Sequence, residues 1–144
     1  MVIAVDFDGT CVTNKYPEIG KEIGAIPVLK TIIDNGHKVI LHTMRSGKTL
    51  SDAQNWFADN GIELYGINEN PTQKNWTQSN KCFANLYIDD VGLGIPLIRS
   101  IDKPYVDWKQ VTLDLLDKGC LFAEDVGRIM PEIIKCQQNL ELYL

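Results

Sequence analysis

Two aspartates in Asp6-Phe7-Asp8-Gly9-Thr10, then Thr43, Lys81 and the pair Asp89-Asp90, are the residues of this chain whose types suit chemistry on a phosphoryl group. Four acidic groups near one another need compensation, since two like charges about 4 Å apart repel by about 4 kcal/mol at an effective dielectric of 20. A divalent cation supplies it. Carboxylates, a backbone carbonyl and water suit magnesium (Mg2+), whereas zinc would favour histidine or thiolate. Asp6 and Asp89 are assigned as carboxylate ligands, with Asp90 acting through water or from behind them. The Asp8 backbone carbonyl is a further candidate ligand.

Each of these residues also has a plainer reading. Asp6 and Asp8 could cap a loop, but two aspartates at the end of a buried strand, followed by Gly9-Thr10, favour a site. Asp89-Asp90 followed by Gly92 and Gly94 would by itself read as a turn. Thr43 alone reads as a cap and Lys81 alone as a solvated lysine, so their roles rest on the set. Trp56, Trp76 and Trp108 fall on separate elements and read as packing. His37 and His42 flank a strand and read as structural or solvated.

These groups must be positioned by the elements before them. Val2–Val5 is a short continuous apolar run, the pattern of a parallel strand covered on both faces, and it ends at Asp6. Val39–Leu41 repeats the pattern before His42-Thr43-Met44-Arg45. Residues 62–67 form the expected third strand and 83–88 the fourth, which ends at Asp89. Between them, Pro27 suits the first turn of a helix carrying Val28, Leu29, Ile32 and Ile33 on one face. Thr49 and Asp52 resemble a capping box for a helix with Leu50, Ala53, Trp56 and Phe57 on its stripe. Residues 68–80 read as a polar loop with a short helix carrying Trp76, and residues 106–116 as a strand end running into a helix. Strands alternating with helices imply a three-layer, doubly wound parallel α/β sheet, with ligands at the carboxyl edge of the strands.

The 144 residues fit one domain, 1–118 forming its core. In the C-terminal segment 119–144, Val126, Ile129, Ile133, Cys136 and Leu140 recur at helical spacing, with Pro131 at a helix start or a kink; this stripe covers the sheet or makes a homo-oligomer contact. A formal net charge of −5 gives no general reason to bind nucleic acid. No apolar run reaches the length of a membrane span, so the expectation is no membrane and a cytoplasmic location. Four scattered cysteines, Cys11, Cys82, Cys120 and Cys136, suggest reduced thiols rather than a disulfide framework or zinc.

In type and order, D-F-D-G-T at 6–10, Thr43, Lys81 and Asp89-Asp90 resemble the four motifs of haloacid dehalogenase-like phosphatases, and the likeness spans residues 1 to about 118. The stretch G-H-K-V-I-L-H-T-M-R adds to it. The resemblance implies that Asp6 attacks phosphorus and that Asp8 protonates the leaving oxygen, then deprotonates the hydrolytic water. It further implies that Gly9, Thr10, Thr43 and Lys81 meet the phosphoryl group, with Arg45 as an added substrate contact and Lys74 as the alternative lysine. Asp6, Asp8, Asp89 and Asp90 make up the implied metal set. An aspartate at position 8 points to a phosphatase rather than a dehalogenase. Too little chain separates Thr10 from Thr43, or Thr43 from Lys81, for a sizeable cap domain. The expected activity is therefore Mg2+-dependent hydrolysis of a small phosphorylated metabolite such as a sugar or sugar-acid phosphate, by an uncapped member.

Two competing readings remain at this point. A phospho-acceptor signalling module also gathers aspartates, a threonine and a lysine, but its phosphorylated aspartate follows the acidic pair on a later strand. A catalytically silent phosphate-binding domain would keep the fold without turnover.

Overall fold

The computed structural model describes residues 1–141. The chain runs β1 (Val2–Val5), α1 (Ala25–Asp34), β2 (Lys38–Leu41), α2 (Gly47–Asp59) and β3 (Gly66–Ile67), then a 3-10 turn at Gln73–Asn75 and β4 (Leu86–Ile88). A short pair, β5 (Leu97–Ile98) and β6 (Tyr105–Val106), precedes α3 (Trp108–Asp117) and α4 (Ala123–Glu141). The first four strands form a parallel sheet in the order β3-β2-β1-β4, while β5 and β6 pair antiparallel. The chain is thus a mixed α/β protein with a four-stranded parallel sheet and four helices among its described residues.

Both faces of the central strands are covered, as their unbroken apolar runs require. Ile3 and Val5 stand in register with Val39 and Leu41 and share one core with the buried residues of all four helices, among them Leu29, Phe57, Val111 and Ile133. By strand alternation Ala4 and Ile40 face the other way, and both are fully or almost fully buried. Segment 119–141 joins the main core, because Ile129, Ile133 and Leu140 of α4 belong to that cluster. The packing is close enough that a Cβ on Gly24, which has φ +109, would lie 2.9 Å from Ile133 Cγ2. Glu22 compensates for the missing side-chain cap at Gly24 by accepting from the Gly24 and Ile26 amides at 2.6 and 3.3 Å.

Several local expectations are corrected. Thr49 does not form a capping box: its hydroxyl donates to Ser46 O at 2.8 Å, and Asp52 pairs with Lys48. The third strand is only Gly66–Ile67, because the Ile62 amide turns back to Phe57 O and closes the end of α2. The fourth begins at Leu86 rather than 83. Of the two positions expected for Pro131, a helix start or a kink, the first is excluded, because it lies inside α4. Trp76 follows the 3-10 turn and is 63% exposed, resting edge-on against Phe83. All four cysteines are free, and no helix among the described residues is long and apolar enough to cross a membrane.

Candidate acidic site at the sheet edge

β1 delivers Asp6 to the carboxyl edge of the sheet, and the neighbouring β4 delivers Asp89 and Asp90. The Asp6 amide donates to Ile88 O at 2.9 Å, which ties the two strand exits together. One carboxylate oxygen from each of Asp6, Asp89 and Asp90 lies within 4.8 Å of the other two. This all-oxygen set is of a kind that can hold a hard divalent cation.

Thr10 joins the two halves of the cluster. Its fully buried hydroxyl donates to Asp6 Oδ2 at 2.8 Å and accepts from the Asp90 amide at 3.0 Å. The loop carrying it is fastened from the far end of the domain: Trp108 Nε1 donates to Thr10 O at 2.7 Å, and the Val106 amide to Gly9 O at 3.0 Å. At Gly9 a glycine is required twice over. Its φ is +80, and a Cβ there would stand 2.4 Å from Asp90 Oδ2.

Burial, then the charge of Asp89, pushes the Asp6 carboxyl up to about 7 despite the opposing bond from Thr10. Burial and Asp89 also raise Asp90. Among the described residues no lysine, arginine or histidine forms an ion pair with these three aspartates, so their mutual repulsion is met by hydrogen bonds, from the Thr10 hydroxyl to Asp6 and from the Val91 amide to Asp89 Oδ1, rather than by a protein cation. The adjacent Cys11 is no nucleophile here. It is completely buried, its thiol pointing to Asp6 O at 3.3 Å, and burial holds the thiol well above its ordinary range.

The other predicted residues are placed differently. The Asp8 carboxylate is engaged by Arg45, at 2.8 Å from Nε and 2.7 Å from Nη2. Arg45 is buried, and its remaining N–H groups reach Pro17 O, Thr49 O and Glu18 O. All five of its donors are therefore used, and none is left for the substrate contact expected of it. Thr43 sits at the exit of β2, its amide donating to Asn68 Oδ1 at 2.8 Å and its hydroxyl accepting from the Arg45 amide at 3.1 Å. The hydroxyl proton remains to be donated. Lys81 is exposed, its ammonium 5.8 Å from the centre of the Tyr87 ring, while Lys74 lies on the 3-10 turn. His37 contacts the N-terminal amine and His42 the Tyr87 ring, so neither histidine belongs to the cluster.

Trp108 and Asn68 are contributions that the sequence reading missed. Trp108 was legible only as packing, and Asn68 as a loop residue; their bonds to Thr10 and Thr43 span 98 and 25 positions, beyond any local signal.

Fold and site together define an α/β protein with an acidic, oxygen-only cluster at the carboxyl edge of a parallel sheet. No family model matches the chain, and no protein of curated function does. It does match the solved structure of a conserved protein from Bacteroides thetaiotaomicron, at 33% identity and a TM-score of 0.65, over 88% of this chain and 96% of that one. The chain belongs to the family of that conserved protein.

Proposed function

We propose that the protein is a magnesium-dependent phosphomonoester hydrolase of the haloacid dehalogenase-like type, in its small uncapped form. The convergence of Asp6, Asp89 and Asp90, bridged by the Thr10 hydroxyl, carries this reading. On it, the parallel sheet is the centre of a three-layer, doubly wound core framed by loops in place of a cap domain.

Asp6, Asp89 and Asp90 are the residues that would hold magnesium, which when bound supplies positive charge opposite the phosphoryl oxygens. Asp6, fixed in rotamer by Thr10, attacks phosphorus as the bond to the leaving oxygen breaks, and Asp8 gives that oxygen its proton. Water then attacks the same phosphorus, returns a proton to Asp8 and displaces the Asp6 carboxylate, releasing inorganic phosphate. Both oxygens of Asp8 accept from Arg45, but each keeps a second lone pair for this exchange. Thr43 has a hydroxyl proton available for a phosphoryl oxygen, and Lys81 an ammonium that makes no ion pair among the described residues.

The test is magnesium-dependent phosphate release from p-nitrophenyl phosphate and a panel of phosphorylated sugars, sugar acids and nucleotides. Release that disappears with Asp6→Asn supports the proposal. No release from any member contradicts it.

A further inference from the structure

Neighbouring strands in the order β3-β2-β1-β4 bring Asn68, just past β3, to a point two strand spacings from Asp6, about 10 Å, with Thr43 between them. That span suits a phosphoryl group joined to one small ring. Asn68 takes a left-handed backbone, φ 56, and its Oδ1 accepts from the Thr43 amide. A cleft of about 310 Å³ opens beside it, bounded by residues of 68–82.

The wall of the cleft is fixed from within. Buried Gln73 donates from Nε2 to Lys81 O at 2.6 Å and Ser79 O at 3.1 Å, and its Oε1 accepts from the Phe83 amide at 2.8 Å. The groups facing the space are left unspent: among the described residues the side-chain amides of Gln78 and Asn80, and the side-chain Nδ2 of Asn68, have no protein partner, while the Asn68 backbone amide donates to Leu41 O at 2.7 Å. The charged lining residues, Lys74 and Glu69, are of opposite sign. Among the described residues no aromatic ring lines the cleft, so they offer a nucleobase nothing to stack on. Carboxamides present donors and acceptors side by side without net charge, which matches hydroxyl groups that also do both. At the low end of the roughly 300–1,000 Å³ typical of small-molecule pockets, the volume suits a single sugar.

We propose that this cleft receives the uncharged, polyhydroxylated part of a sugar monophosphate whose phosphoryl group sits at Asp6; the assignment rests on the phosphohydrolase reading above. Amide and side-chain NMR of the wild-type protein with magnesium tests it, using non-hydrolysable phosphonate analogues of hexose 6-phosphates, inorganic phosphate, and the phosphonate analogue of adenosine monophosphate. The expected result is that phosphate and the hexose analogues both shift the signals of residues 6–10 and Thr43, while only the hexose analogues shift Asn68, Gln78 and Asn80. A Gln78→Ala, Asn80→Ala double variant is expected to raise KM for hexose 6-phosphates about tenfold, the scale of lost neutral hydrogen bonds. Shifts at 6–10 with none in the cleft overturn this inference alone, and an equal cleft response to the nucleotide analogue overturns the assigned class. Silence at residues 6–10 with every probe overturns the phosphohydrolase reading itself.

Discussion

Asp8 and Arg45, separated by 37 positions in the chain, meet in a two-pronged contact of 2.7 and 2.8 Å in which both carboxylate oxygens accept from the guanidinium. The arginine also holds the carbonyls of Pro17, Glu18 and Thr49, and its guanidinium lies 5.0 Å from the Phe7 ring centre. Asp8 is thereby tied through Arg45 to the loop after β1 and to the first turn of α2, so the orientation of the second aspartate is set by both segments at once.

Breaking that contact leaves the partly buried Asp8 carboxylate and three backbone carbonyls without their donor, and loss of one partner of a buried ion pair typically costs about 3–5 kcal/mol. Arg45→Met is expected to lower unfolding stability in urea by that order. Arg45→Lys, which keeps the charge but not the fork geometry, should recover only part of the loss. A fully stable Arg45→Met protein would show that the clamp does not organise this region.

Thr10→Val keeps the shape of the side chain but removes the acceptor of the Asp90 amide and the donor to Asp6. Its expected cost is about 1–3 kcal/mol, with weaker magnesium binding, and Thr10→Ser should restore both. Calorimetric titration of magnesium alongside urea unfolding checks the pair of effects.

Much of this site was legible from short-range pattern. Apolar runs of strand length ending in Asp6, Thr43 and Asp89 placed those residues at one sheet edge, because parallel strands covered on both faces leave only their ends polar. What could not be read depended on distant contacts. Arg45 reads in the sequence as a substrate contact, since nothing near it shows that Asp8 and three carbonyls consume its donors. Trp108 reads as core until its indole N–H is found on Thr10 O. The apolar run 62–67 reads as one strand, because nothing in it reveals that Ile62 is engaged in ending α2.

Asp6 sets the direction of the pH dependence. In the metal-free protein its carboxyl is raised to about 7, while an unfolded aspartate titrates near 3.8. Between those values the native state keeps a proton that the unfolded chain has released, so stability falls as pH rises from about 4 to about 7. Asp90, raised in the same direction, adds to the effect. On the proposed function magnesium would compete with that proton, and its stabilisation should therefore grow across the same window. Melting temperatures with magnesium and with a chelator, taken at both ends of the range, check this; a magnesium effect independent of pH would contradict it.

The most direct measurement is peptide mass spectrometry on protein quenched in acid during steady turnover of a phosphomonoester. The account predicts a hydroxylamine-sensitive phosphoryl group on the peptide carrying Asp6, located at that residue and absent from Asp6→Asn. Sustained phosphate release with Asp6 never modified, or an adduct on Asp89 or Asp90 instead, would contradict it.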